Sequence, residues 1–332
     1  MSSTPLVSIV IPCFNAESFV GEAIWSALHQ TYPNVEVIVV DDGSADGSLA
    51  VVRSFGDAIR WQTGPNRGGC AARNQGLRLA AGEFVQFLDA DDVLAPDKLV
   101  KQVAVARENP EAIVYCDHDL QGGPGGGITT RGMPCGDTDG VVFVLRHRAL
   151  TTIAPLHRKE WLIDVGGFRE GLKASQEFDL HLRLAATGRR FVHLPEALFT
   201  VRRRSGSVSA DAARTLAALI AFLPGLIEQM QAQGALTADR RSEFAAYAAR
   251  AGRQCCRGKQ FEAGLQLLNL AFRLDRRAAT QAAYTAGSRL LLAALGPGPV
   301  EHLAALRQAL SVNGLKRIAP GPPQQGSAAC AE

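Results

Sequence analysis

Residues 82–92 read GEFVQFLDADD. The run from Phe84 to Leu88 is apolar apart from Gln86, has strand length, and stops at three carboxylates, Asp89, Asp91 and Asp92. Before it, Gly69 to Ala81 has helical spacing and is closed by Gly82. After it, Pro96 sits where the first position of a new helix favours proline. Further out, Val7 to Ile11 and Val35 to Val40 are continuous β-branched runs, the pattern of strands buried on both faces. Phe19, Ala23, Ala27 and Leu28 follow the first run at helical spacing, with Asn15 as the expected N-cap. A short helix and a weak strand over Ile59–Gln62 follow the second. Strand and helix alternate, which predicts a mostly parallel α/β sheet with helices on its flanks. Ligands of such sheets collect at the carboxyl ends of the strands, where the polar clusters of this chain fall.

Each cluster has a plain structural meaning and a chemical one. Asp89 and Asp91, two residues apart at a strand end, can turn towards one divalent cation; hard oxygens suit Mg²⁺ or Mn²⁺. Aspartates are also common in turns. Asp41-Asp42-Gly43-Ser44 could accept hydrogen bonds from a base or a ribose, or be an ordinary Asp-Gly turn. Pro12-Cys13-Phe14-Asn15-Ala16-Glu17 lies where a nucleoside would meet the first helix, and equally reads as a simple helix start. Asn66-Arg67-Gly68-Gly69, followed by Arg73, places cations and flexible backbone near a helix start, which suits a diphosphate; solvated arginines are the alternative. Gln176-Glu177-Phe178-Asp179 opens a predicted helix over Ser175–Thr187, where the helix dipole favours acids with or without chemistry.

The order of these clusters is more specific than any one of them. VSIVIPCFNAE, VEVIVVDDGSADGS, NRGGCAARNQGL, GEFVQFLDADD, the Gly166-Gly167-Phe168 turn and SQEFDLHLRLAATGRRFVHLPE together resemble the family 2 glycosyltransferases of the GT-A fold, over about residues 7–209. The resemblance implies that Pro12, Phe14 and Glu17 line a nucleoside site and that Asp42 reads the base. It implies that Arg73 and Arg67 approach the diphosphate, and that Asp89, Ala90 and Asp91 form the metal motif, with Asp89 and Asp91 as ligands. The family's base is usually the aspartate of a Glu-Asp pair; here that pair reads Gln176-Glu177, so Glu177 is the implied catalytic base. Arg202 and Arg204 stand where many relatives have an arginine followed two residues later by histidine, and could contact the diphosphate or be a solvated run. An inverting, metal-dependent transfer from a nucleotide-sugar, a UDP-sugar being favoured, to a saccharide or lipid-linked acceptor hydroxyl is what the resemblance predicts.

Composition sets the outer limits. The chain has 332 residues, 47% apolar and 20% charged, enough for a core in one sizeable domain and a smaller one. The expected division is 1–209 catalytic, 210–318 helical and 319–332 a disordered tail. Residues 121–139, rich in glycine, read as a mobile loop, either a lid or a tolerated insertion. Tyr247–Asp275 could pass for one helix-turn-helix repeat. The seven cysteines show no CxxC spacing and no pairing with histidine, so a disulfide framework and a zinc site are not expected and a reducing, cytoplasmic setting is. The N-terminus lacks a signal-peptide pattern, and Leu216–Ile227 looks too short, with Pro224 inside it, to span a membrane. From Arg202 to Arg317 there are 17 Lys/Arg against 7 Asp/Glu, so the C-terminal region could touch the anionic inner face of a membrane or simply be a solvated face. Nothing points to nucleic acid. A QxxRW motif is absent, so single rather than processive transfers are expected. The rival readings are a nucleotidyltransferase, against which the lack of a triphosphate loop counts, and a nucleotide-sugar-binding scaffold whose Gln176-Glu177 marks lost chemistry.

Overall fold

The computed structural model describes residues 4–122, 128–131, 139–147, 150–202, 212–285, 288 and 296–301. Arg204, the tail after 319 and most of the expected 121–139 loop lie outside the described residues. Two compact units emerge, residues 1–244 and 245–332. The first therefore runs past the expected boundary at residue 209.

The first unit starts with β1 (Val7–Cys13), α1 (Val20–Leu28), β2 (Val35–Asp41), α2 (Ser48–Ser54), β3 (Arg60–Thr63), α3 (Gly69–Leu79) and β4 (Phe84–Phe87). These four strands are all parallel, in the order β3-β2-β1-β4. Strand order reverses at β1, so a crevice opens at the carboxyl ends of β1 and β4. The core runs through Val7, Ile9, Val10, Ile11, Ile38 and Val39, which the uninterrupted β-branched runs foretold.

Beyond β4 the sheet becomes mixed. There follow β5 (Val93–Leu94), α4 (Lys98–Glu108), β6 (Ala112–Gln121), β7 (Ile128–Arg131), α5 (Gly140–His147), β8 (Pro155–Arg158), α6 (Lys159–Asp164), α7 (Gln176–Ala186) and β9 (Arg190–Arg202). β8 lies antiparallel between β4 and β6, β6 and β9 are parallel, and β5 and β7 pair antiparallel with β9 and β6. Proline has no N–H to give a ladder, and β9 carries Pro195 where pairing skips from Cys116↔Leu194 to Asp117↔Ala197. β9 ends at Arg202, beside the loop after β4, because β5 pairs Val93 with Thr200.

Three expectations need correction. Asn15 does not cap α1: it sits at φ 48°, and its Oδ1 accepts from the Ala45 N–H at 2.8 Å, tying two loops together. Helix α4 begins at Lys98, two residues after Pro96, with Asp97 at the cap position. Leu216–Ile227 belongs to α8 (Ala212–Ala232), a 21-residue helix that by length and composition alone could cross a membrane. Pro224 costs one backbone bond but does not end it. Leu219, Phe222, Leu223 and Leu226 of α8 are buried, and Phe222 meets Phe178 of α7 edge to face at 6.1 Å, so this face belongs to the core of the first unit.

The second unit begins within α9 (Ala238–Arg257) and continues through α10 (Phe261–Leu274) and α11 (Arg276–Ala283). A Cβ on Gly252 would lie 2.6 Å from the Gly264 carbonyl oxygen, and one on Gly264 equally close to that of Gly252. The backbones of α9 and α10 touch there, a contact only glycine permits.

Candidate functional site at the carboxyl ends of the strands

The loops after β1 and β2 are zipped together. The Asn15, Ala16 and Glu17 N–H groups donate to Ser44, Ser48 and Asp46 side chains at 3.0, 2.8 and 3.1 Å. In return, Glu17 Oε2 accepts from the Gly47 N–H at 3.0 Å. Pro12 closes this wall from within β1, while Phe14 stands 49% exposed, an apolar ring offered to solvent at the crevice mouth. Cys13 beneath it is buried, which pushes its thiol up to about 11 and keeps it unreactive.

Asp42 is buried at the end of β2 and accepts from the N–H groups of Arg67 and Gly68, both at 2.8 Å. It therefore fixes the turn that leads into α3. Asp41 beside it accepts from the Thr63 hydroxyl at 2.6 Å and so ties β2 to β3. The Arg67 guanidinium is drawn to Glu170 at 2.9 Å, and Glu170 also accepts from Asn74 at 3.2 Å. Asn74 in turn exchanges two 2.8 Å bonds with the backbone of Phe168. Through this chain of contacts the Gly166-Gly167-Phe168 turn is pinned to α3.

Arg73, one turn into α3, is the centre of the site. One terminal nitrogen donates to Asp89 Oδ1 at 2.6 Å and the other to Gln176 Oε1 at 2.8 Å, while the guanidinium lies 5.4 Å from the Phe168 ring. Gln176 is oriented because its own amide donates to the Leu172 carbonyl at 2.8 Å. Burial works against the Arg73 charge, yet Asp89, Cys70 and Glu177 outweigh it and hold the pKa above the usual arginine value. One cation thus couples the end of β4 to the first turn of α7, and Glu177 is near enough to act on it.

Asp89 and Asp91 are partly exposed in the turn after β4, with Ala90 buried between them. Asp92 turns inward and accepts from the Arg202 N–H at 2.9 Å. Burial, with Asp89 adding to it, pushes the Asp92 pKa to about 8. The Arg202 guanidinium reaches Glu22 of α1. Among the described residues no group of three or more His, Cys, Asp or Glu is arranged to hold a metal by itself.

Sequence reasoning had not assigned Asp92, Gln176, Glu170 or Asn74 a job at the rim. All four are anchors, and their partners lie 94 to 110 residues away for the bonds to Phe168, Arg73, Arg67 and Arg202. Pairings that distant leave no local signal in a sequence. Only the adjacency of Asp92 to Asp91 could have pointed to it.

Comparison with known proteins agrees with this geometry. A family model described as glycosyl transferase family 2 matches residues 8–161. The Escherichia coli protein WfgD, a UDP-Glc:α-D-GlcNAc-diphosphoundecaprenol β-1,3-glucosyltransferase, is 38% identical over 117 residues, 35% of this chain and 46% of its own. The chain spans half or less of the first curated relatives it matches. Staphylococcus aureus TarS 1–349, solved with UDP-GlcNAc, has a similar fold, with a TM-score of 0.53 at 19% identity over 84% of this chain and 93% of that one. The mannosyltransferase PcManGT of Pyrobaculum calidifontis, solved with GDP-Man and Mn²⁺, gives 0.50 at 19% identity over 95% and 83%. From residue 8 to residue 161, this chain is a glycosyl transferase family 2 domain.

Proposed function

We propose that the protein is an inverting, non-processive, metal-dependent glycosyltransferase that moves a sugar from a nucleotide-diphosphate-sugar to an acceptor hydroxyl in cell-surface glycan synthesis. The observation that carries this reading is Arg73, which joins the carboxylates after β4 to the helix that bears Glu177. Nucleotide-sugar and substrate chemistry then share one rim. A UDP-sugar is the favoured donor and a saccharide or lipid-linked saccharide the acceptor. The donor bound to TarS and the acceptor in WfgD's name support both.

The residues present fit a hard divalent cation. Asp91 and Asp89 are the carboxylates that would hold Mn²⁺ or Mg²⁺, and a site with so few protein ligands suits an ion that shares its shell with water and a diphosphate. When bound, such a cation neutralises charge on a departing diphosphate. PcManGT, solved with Mn²⁺, supports that choice.

The remaining work falls to side chains of this chain. Asp42 and Glu17 hold the loops that face the nucleoside, and Pro12 and Phe14 offer it apolar surface. Arg73 brings a fixed positive charge towards the diphosphate. Glu177 takes the acceptor proton as the hydroxyl attacks, since an alcohol ionises far above neutral pH and needs a carboxylate within hydrogen-bond reach. Arg67 and Arg202 are paired with Glu170 and Glu22, and would serve the donor only after leaving those partners. A location at the cytoplasmic face of a membrane belongs to the same reading. The unpaired described cysteines support it, as do exposed Arg250, Arg257, Arg276 and Arg277 in the second unit.

A thermal-shift screen of UDP- and GDP-sugars with and without Mn²⁺ tests the proposal, because a ligand of the folded state raises apparent stability by mass action. A Mn²⁺-dependent rise with at least one nucleotide-sugar is expected. No shift with any of them removes the reading.

A further inference from the structure

We infer that Gln86, Lys98 and Gln102 form a buried brace that positions the segment Thr151–Ala154 on the sugar side of the transfer site. This inference rests on the donor-binding reading above and names the side chains that place one wall of that site.

Topology puts the segment at the rim. β8 runs antiparallel to both β4 and β6, so it begins where those strands end. The register that pairs Phe84 with Arg158 and Val85 with His157, carried on towards the rim, brings Ile153 level with Asp89. The loops after β1 and β2 lie on one side of β4 and β8 on the other, so the segment flanks the rim beyond the diphosphate. Thr151 is partly exposed there, and its Oγ1 accepts from the Ala154 N–H at 3.3 Å, which closes the segment into a turn.

Three fully buried side chains grip its last two carbonyls. Gln86 Nε2 donates to the Ile153 carbonyl at 2.8 Å, while Lys98 Nζ and Gln102 Nε2 donate to that of Ala154 at 3.3 and 2.9 Å. Lys98 also donates to Gln102 Oε1, which fixes the orientation of that amide. Holding a loop in this way is unfavourable for the core. The described acceptors of Lys98 are Gln102, the Ala154 carbonyl and the Cys116 sulfur, with no carboxylate among them. Gln86 Oε1 is buried without a partner among the described residues. Apolar side chains at the three positions would avoid both penalties but could not hold a carbonyl. The cost is sustained where the placement of residues 153 and 154 matters.

The test compares the full chain as wild type, Gln86→Met and Gln102→Met; methionine keeps the length of glutamine and removes the grip. Calorimetry at saturating Mn²⁺ gives the affinity for UDP or GDP, whichever the wild type binds, and transfer assays give kcat/KM for the acceptor. Each variant should bind nucleotide within a factor of about two of wild type while kcat/KM falls about ten- to a hundredfold, the scale of a reacting group displaced by about 1 Å. Transfer within about twofold of wild type in either folded variant overturns the inference. So does a fall in transfer matched by an equal fall in nucleotide affinity, which is what general loosening of the core gives. Amide exchange in the wild type decides the case in which neither variant folds. Ile153 and Ala154 should exchange as slowly as β4, and exchange as fast as in an open loop overturns the brace. Wild type that binds neither nucleotide is a different failure, because it removes the donor site itself.

Discussion

Arg73 and Asp89 form a 2.6 Å ion pair between α3 and the turn after β4, with the arginine largely withdrawn from water and the aspartate partly exposed. The pair spans the topological switch point of the sheet, since α3 follows β3 on one side of β1 and the turn follows β4 on the other. A bidentate fork reaches Asp89 and Gln176 at once, which a lysine ammonium on a flexible stem cannot do.

Arg73→Lys should therefore cost more than its conservative appearance suggests. We expect UDP affinity at saturating Mn²⁺ to fall about tenfold or more, with stability reduced by about 1–3 kcal/mol because Asp89 or Gln176 loses its partner. Calorimetry and urea unfolding check the two separately.

Asp42→Ala leaves the N–H groups of Arg67 and Gly68 without their acceptor. Each lost charged hydrogen bond is worth about 1.5–3 kcal/mol. The turn before α3 should loosen, which faster amide exchange at residues 67 and 68 would register. Nucleotide affinity should drop with it, whereas Asp42→Asn should retain part of both.

Gly167→Ala meets two obstacles. Gly167 lies at φ 66°, and the new Cβ would sit 2.5 Å from Asn74 Oδ1, the atom that accepts from Phe168. A loss of about 2–3 kcal/mol is expected from backbone strain and the broken clamp. The neighbouring Gly166 is also at positive φ but has nothing within 4 Å of a built Cβ, so Gly166→Ala should cost about 1 kcal/mol.

The buried histidine pair should lose stability on acidification at a pH where ordinary carboxylates are still ionised. His157 on β8 and His181 on α7 face each other, Nε2 to Nε2 at 3.4 Å, and both are buried. Burial drives the His181 pKa down to about 3. It also holds His157 well below its ordinary value, with His181 adding to the effect. An unfolded histidine takes up a proton near pH 6.5 while these two stay neutral when folded, so the unfolded state binds more protons there. Stability contributed by the neutral pair is complete above about pH 6.5 and declines as pH falls towards 3, by about 1.4 kcal/mol per unit for each histidine. Urea midpoints at pH 7.5 and 5.5 are compared between wild type and His181→Phe, in which acidification should cost less stability. Asp92, whose raised pKa acts in the opposite sense over this range, is common to both proteins, so an identical pH dependence in the two would refute the neutral buried pair.

Much of the fold could be read from local patterns. β1 and β2 are buried on both faces, and their β-branched runs say so without help; glycines at 166, 167 and 188 mark turns where φ is positive. Asn15 misled because an asparagine ahead of a helix looks like a cap, while its real bond crosses to Ala45, 30 residues away. α8 misled for the opposite reason. Leu216–Ile227 taken alone is too short to span a membrane and holds Pro224, whereas the helix that contains it runs on from Ala212 to Ala232, with Phe222 packed against Phe178. At the site, the carboxylates at strand ends were legible as types. That Arg73 would choose Asp89 and Gln176, and Arg67 would choose Glu170, depends on which loops meet over separations of 16 and 103 residues. No spacing in the chain encodes those choices.

Turnover by Glu177→Gln tests the account most directly, using the donor found by the thermal-shift screen and its acceptor. The amide keeps the size and much of the hydrogen bonding of the carboxylate but cannot take a proton at neutral pH. The account predicts transfer reduced by about 10²- to 10⁴-fold with nucleotide affinity within a factor of about two of wild type. Transfer at the wild-type rate would contradict it.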